Sequence, residues 1–351
     1  MPFSSSALFR TTVVASFVTV GVVAGSVYTA VSQTSSITLN GAGATFPAPL
    51  YQRYFQQFSQ KNPNVRVNYQ AVGSGAGIRQ MTAGTVDFAG SDAAMKDQEV
   101  GKVSRGVIFV PTAGGPVAVA YNVPGVNNLK LSKEALPAIF AGQITNWNDP
   151  KIASANPGVS LPNLPIRLAV RADSSGTSFI FSNHLSAINP YFRGRVTAST
   201  TPNWPGNPLR GQGNPGVAQS VRQTRGAIGY VEYTFAKNAN LQMASVQNKS
   251  GAYVAPSMQA ANQALAGVDF NQDFRVNFSE FGNPNQGYPI VGLTWIMVYK
   301  QYNQPGKAEA VKRLVQWMMT DGQQINDDLS YTRIPAPIAN RVVQAVNSGV
   351  K

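Results

Sequence analysis

The stretch VRVNYQAVGSGAGIRQM, residues 65–81, decides the fold class. Val65, Val67 and Tyr69 alternate with polar neighbours, the two-residue period of a strand with one buried face. The strand ends near Gln70, a glycine-rich loop follows, and Ser74 stands near the N-cap of an amphipathic helix. Strand, loop and helix in that order are the building unit of α/β folds.

Working outward, the unit recurs. The short apolar runs 86–90 and 166–170 suit buried strands. Helical spacing appears at Leu50, Tyr54 and Phe58, and again at Val311, Leu314, Val315 and Met318. Two longer strand-like runs are interrupted by glycine: GVIFVPTAGGPVAVAYNVPG (106–125) and GYPIVGLTWIMVYK (287–300). If both cross between lobes, the N- and C-terminal parts share one lobe and the middle forms the other. The chain has no internal repeat and no low-complexity tract.

Composition narrows the class. A chain of 351 residues, 43% of them hydrophobic, is long enough for about two domains. It has no cysteine, which excludes disulfides, thiolate metal sites and a lipid anchor on an N-terminal cysteine. The net charge is +13, but its Lys and Arg form no run of five. Such a diffuse field suits an anionic ligand or an anionic surface, and equally simple solubility, rather than a nucleic-acid-binding tail. Residues 11–31, TTVVASFVTVGVVAGSVYTAV, carry no charge and follow Arg10. They read as a signal peptide, with small-residue cleavage sites at Ala24-Gly25-Ser26 or Ala30-Val31-Ser32. An uncleaved anchor is the alternative. Removing residues 1–32 takes one arginine and leaves +12.

Three loops share one design, in which glycines and hydroxyl residues lead into an amphipathic helix. They are GAGATFPAP (41–49), with Thr45 or Phe46 near an N-cap, VGSGAGIRQM (72–81), with Ser74, and RADSSGTSF (171–179). The last precedes a helix with Phe181, Leu185 and Ile188 on one face. A helix N-terminus offers free backbone N–H groups and a partial positive charge, glycine permits close backbone approach, and hydroxyls add donors. Taken singly, each loop is ordinary N-capping. Three loops together would surround a small oxyanion with neutral donors. Arg171 supplies a guanidinium for bidentate contact with a tetrahedral oxyanion, and Asp173 could orient it; a surface ion pair is the plainer reading. Asp92, in VDFAGSDAAM, would by itself read as a helix N-cap before Ala93-Ala94-Met95.

Six segments now combine in order: GAGATFPAPLYQRY, VNYQAVGSGAGIRQM, TVDFAGSDAAM, FAGQITNWNDP, RADSSGTSFIF and GAIGYVEYTFAK. Together they closely resemble the periplasmic phosphate-binding proteins of phosphate ABC transporters, the PstS family, over about residues 38–345. The resemblance implies a two-lobed α/β periplasmic-binding-protein fold, type II-like, with mixed sheets flanked by helices and the ligand in the cleft between lobes. It implies lobes of 33–112 plus 291–351 and of 113–290. It implies phosphate donors at Thr45, the Phe46 N–H, Ser74, Arg171, Ser175, Gly176 and Thr177, with Asp92 as acceptor and Asp173 steadying Arg171. Two positions depart from the family pattern. Ser174 stands where glycine is frequent, and Gly75 stands where the family carries a hydroxyl.

The resemblance also implies selectivity. Phosphate at neutral pH keeps a proton that an ionised Asp92 can accept, whereas sulfate has none. The implied partners are inorganic phosphate and membrane permease subunits. The expectation is a monomeric periplasmic protein with no enzyme activity, cofactor, metal or nucleic-acid partner. A secreted phosphatase is the first alternative, but the one histidine, His184 in FSNHLSA, reads as a polar-face helix residue rather than a base. No GxxxxGK[ST] loop is present. A binder of another oxyanion, such as sulfate, is the second alternative, and Asp92 argues against it.

Overall fold

The computed structural model describes residues 36–277 and 282–351. The signal-peptide reading of residues 1–32 therefore lies outside the described residues. The chain opens with β1 (Ile37–Gly43), α1 (Ala48–Lys61), β2 (Val65–Ala71), α2 (Ser74–Ala83), β3 (Phe88–Ser91), α3 (Asp97–Val100) and β4 (Val107–Asn122). It continues through β5 (Lys130–Leu131), α4 (Ala135–Phe140), α5 (Pro150–Ala153), β6 (Arg167–Arg171), α6 (Gly176–Ile188), α7 (Pro190–Arg195), β7 (Leu209–Gly211), α8 (Gly213–Gln223) and β8 (Ala227–Glu232). The rest is α9 (Tyr233–Asn238), β9 (Gln242–Met243), β10 (Ser245–Gln247), β11 (Tyr253–Val254), α10 (Met258–Leu265), β12 (Val291–Tyr299), α11 (Pro305–Met319), α12 (Gln323–Asp328) and α13 (Ala336–Gly349).

The strands join in the order β2-β1-β3-β12-β4-β8-β6-β7, with β9 beside β4 and a small sheet β11-β10-β5 apart. β2, β1 and β3 are parallel, as are β7, β6 and β8. β4 links the two sets. Its residues 107–116 pair with β12, and its residues 117–122 pair with β8. Both long runs read from the sequence are thus strands, and β4 carries the path from one set to the other. β12 stays on the β3 side, where the turn before it feeds in and Val117 N donates to Ile290 O at 2.8 Å. β12 is buried along its whole length and β4 up to its last residue, which explains their near-continuous apolar composition.

Two aromatic clusters fill the core. On the β1–β3 side, Tyr51, Tyr54 and Phe55 of α1 pack with Tyr69 and Phe88. On the β8 side, Phe181 stacks on Tyr230 at 4.5 Å, with Phe140 and Trp204 around them. The faces read from helical spacing are inward, since Leu50, Tyr54 and Phe58 of α1 and Val311, Leu314, Val315 and Met318 of α11 are buried. The segment before β12 crosses back over the β3 side. Arg275 donates to Met95 O at 2.8 Å, and Trp295 Nε1 donates to Phe274 O at 2.9 Å.

Candidate functional site

The loops that leave the carboxyl ends of β1, β2, β3, β6 and β7 meet one another, as ligand-binding loops do in open α/β sheets. Thr45 and Phe46 follow β1. Ser74 is the first residue of α2, Asp92 follows β3, and Arg171 ends β6. Ser175 is the N-cap of α6, and its hydroxyl accepts from Ser178 N at 3.1 Å. Thr45, Ser74, Asp92, Arg171, Ser175 and Thr177 are all at most 4% exposed. Burying so many polar groups together is costly unless each is hydrogen-bonded.

The bonds can be followed atom by atom. Ser74 Oγ accepts from Gly176 N at 3.1 Å and from Asp92 N at 3.3 Å, joining the second and third loops to Asp92. Thr177 Oγ1 accepts from Arg171 Nη1 at 3.3 Å. Thr45 Oγ1 and Thr177 Oγ1 both accept from the side-chain amide of Asn214, at 3.0 and 3.2 Å. Asn214 stands at the start of α8, just after β7, a position that sequence reasoning missed. Its only signal was the run Gly211-Gln212-Gly213-Asn214 before a helix, without a hydroxyl residue to mark it. Close contact explains two glycines. A Cβ on Gly73, whose φ is +98°, would lie 2.2 Å from Asp173 Oδ2, and a Cβ on Gly176 would lie 2.6 Å from the Asp92 Cβ.

Arg171 is buried, so its ion pair is not the surface pair that its plainer reading supposed. Its Nε and Nη2 donate to the two carboxylate oxygens of Asp173 at 2.9 and 2.5 Å. Asp173 also accepts from Gly213 N at 3.0 Å. Burial raises the Asp173 carboxyl, but Arg171 and the Gly213 N–H outweigh it, and the carboxyl ends below the usual range. The guanidinium, which has five N–H bonds, is thereby fixed in plane.

Asp92 is not the N-cap its bare sequence suggested. Residues 92–95 are not helical, and α3 begins only at Asp97. Its Oδ1 accepts from Thr294 Oγ1 of β12 at 2.8 Å. Burial pushes the carboxyl up to about 7, against the Thr294 and Ser74 bonds and the Arg171 charge, with Asp173 adding to the rise. Glu232 at the end of β8 is likewise buried and pushed up to about 8. The Tyr331 hydroxyl lies 2.8 Å from Phe46 O and 3.1 Å from Glu232 Oε2.

His184 corrects the sequence reading. It does not lie on a polar face but is 2% exposed, because α6 is enclosed on most sides by its neighbours. Its Nδ1 bonds Gly282 O at 2.8 Å, its Nε2 has no partner among the described residues, and burial depresses it to about 4. The two family departures touch each other. A Cβ on Gly75 would lie 2.2 Å from Ser174 Oγ, and Gly75 N donates to Ser174 O at 3.0 Å.

Comparison with known proteins completes the assignment. The PBP superfamily domain matches residues 29–322. The phosphate-binding protein PstS of Haemophilus influenzae is 36% identical over 319 residues, covering 89% of this chain and 92% of that protein. PstS of Xylella fastidiosa is 34% identical over 313 residues, covering 88% and 85%. Among solved structures, a high-affinity periplasmic phosphate-binding protein with phosphate bound superposes with a TM-score of 0.75 at 22% identity, covering 88% of this chain and 94% of that one. A phosphate-binding protein from Stenotrophomonas maltophilia gives 0.69 at 20% identity, covering 90% and 96%. The fold is the two-lobed periplasmic-binding-protein fold, and the chain belongs to the PstS family of phosphate-binding proteins.

Proposed function

We propose that the chain binds one inorganic phosphate between its two lobes and hands it to the membrane permease of a phosphate ABC transporter. The observation that carries this is the hydrogen-bond polarity of the site. Ser74 already accepts two bonds from the protein, and so do Thr45 and Thr177, which leaves each hydroxyl its hydrogen to give. With the guanidinium of Arg171, the N–H of Phe46 and Ser175, they make a wall of donors; the Gly176 N–H, also implied as a ligand donor, here gives its hydrogen to Ser74 Oγ. Asp92 is the one acceptor among them. A tetrahedral oxyanion that keeps one proton matches that set. An oxyanion with none leaves Asp92 either unpaired or repelled, and a mispaired buried group can cost a ligand about four to five orders of magnitude.

The lobes in this reading are residues 33–112 plus 291–351 and residues 113–290. The switch of β4 from β12 to β8 at 116/117 supports a boundary near there. Residues 270–276 sit across it, against Trp295 and Met95. Closure of the lobes on the ligand follows the hinge pattern of such proteins. The chain works as a single copy in the periplasm, exported by residues 1–32, with no nucleic-acid partner and no catalytic step. His184 supports the last point, because its bonded nitrogen faces Gly282 O and not a hydroxyl of the site. The test is equilibrium binding of labelled phosphate with excess sulfate at about pH 9, where Asp92, which titrates near 7, is ionised. One-to-one binding that sulfate fails to displace is expected, and displacement by sulfate would overturn the reading of Asp92.

A further inference from the structure

Asn214 is the second residue of α8 and is wholly buried. Its backbone N–H donates to Thr45 Oγ1 at 3.1 Å. Its amide nitrogen donates to Thr45 Oγ1 and to Thr177 Oγ1, and its Oδ1 accepts from Glu232 N at 2.9 Å. Both amide hydrogens and the carbonyl are thus engaged with protein, so Asn214 is not itself a ligand residue.

Its effect falls on the two threonines. A hydroxyl has one hydrogen and two lone pairs. Thr45 commits both lone pairs to Asn214. Thr177 commits one to Asn214 and the other to Arg171. We propose that Asn214 is a specificity-determining positioning residue that makes the Thr45 and Thr177 hydroxyls donors only, so that the site favours the ligand form with the fewest protons. This rests on the phosphate reading above. Without Asn214 each hydroxyl regains a lone pair and can turn to accept a P–O–H hydrogen. The doubly protonated monoanion would then be tolerated, and the dianion would lose two directed donors.

Asn214→Ala tests this through the pH dependence of phosphate binding, a readout that loosened packing alone would not move. Relative to wild type, affinity is expected to fall about 30-fold near pH 8, where the dianion prevails, and only about threefold near pH 5, as losing two directed hydrogen bonds would give. In a Thr45→Val background the same substitution should cost less than in the wild type, since amide and hydroxyl act as one unit. An equal loss at both pH values would overturn the proposal, and so would full additivity with Thr45→Val. If circular dichroism shows Asn214→Ala unfolded, Asn214→Asp keeps the shape and the acceptor for Glu232 N but draws the threonine hydrogens to itself. Its loss must again be larger near pH 8, and an equal loss would overturn the proposal. A wild-type chain that binds no phosphate would instead refute the functional reading, whereas wild-type binding with an unaltered Asn214→Ala would refute only the role of Asn214.

Discussion

Raising the pH is expected to shut sulfate out of the site in proportion to the ionisation of Asp92. That carboxyl titrates at about 7 because burial disfavours its charged form. The groups facing it are Arg171, Asp173, Ser74, Thr294, Tyr51, Tyr69 and Tyr331. Burial raises all three tyrosines and Arg171 holds Asp173 low, so neither they nor Asp173 change charge between about pH 5 and 9. Sulfate brings no proton and meets a matching donor only when Asp92 holds one. About half the carboxyls are protonated at pH 7 and about one in a hundred at pH 9, so sulfate affinity should drop about 50-fold between them, equivalent to roughly 2.3 kcal/mol. Phosphate supplies the shared proton itself and should keep its affinity over the same range. The assay is competition of sulfate against labelled phosphate at each pH. In Asp92→Asn the sulfate curve should be flat, because the amide always offers a hydrogen and carries no charge. A wild-type sulfate affinity independent of pH would refute the reasoning.

Other consequences concern stability and fit. Both Asp92 and Glu232 have folded-state values above their unfolded ones, so each contributes stability at acid pH that is lost as pH rises, through about 7 for Asp92 and about 8 for Glu232. A rise of about three units corresponds to roughly 4 kcal/mol per group. Ligand-free Asp92→Asn and Glu232→Gln should therefore unfold at higher temperature than wild type near pH 9, and a lower melting temperature in calorimetry would count against this. Gly75→Ser should weaken phosphate binding at least tenfold, by driving Ser174 away, and adding Ser174→Gly should restore most of it. Strict additivity of the two changes in titration calorimetry would show the positions to be independent. Asp173→Asn should lower phosphate affinity about tenfold, through loss of the charged bonds that fix the Arg171 guanidinium, and an affinity unchanged from wild type would remove Asp173 from that role.

The α/β class and most of the residues that meet at the candidate site were legible because they rest on local chemistry. Alternation at Val65, Val67 and Tyr69 marked a strand, and glycine with a hydroxyl before a helix marked each loop. Element ends moved by one or two residues. The run 86–90 became β3 at Phe88–Ser91, since pairing with β1 and β12 sets which residues bond. His184 was misplaced because a single histidine on a helix carries no sign of what packs over it. Asn214 was missed because an amide in a glycine-rich turn looks like any turn residue until its neighbours are known.

By itself, the sequence determined which side chains could hold an oxyanion, because residue type sets donors, acceptors and helix-start geometry within a few residues of chain. Only the tertiary structure decided that loops more than a hundred residues apart share one set of bonds, as Ser74 and Gly176 do. It also decided that Asn214 stands between Thr45 and Thr177, and that burial lifts Asp92 to about 7. Desolvation and hydroxyl polarity depend on every atom that surrounds a group, and those atoms arrive from distant strands only when the sheet is assembled.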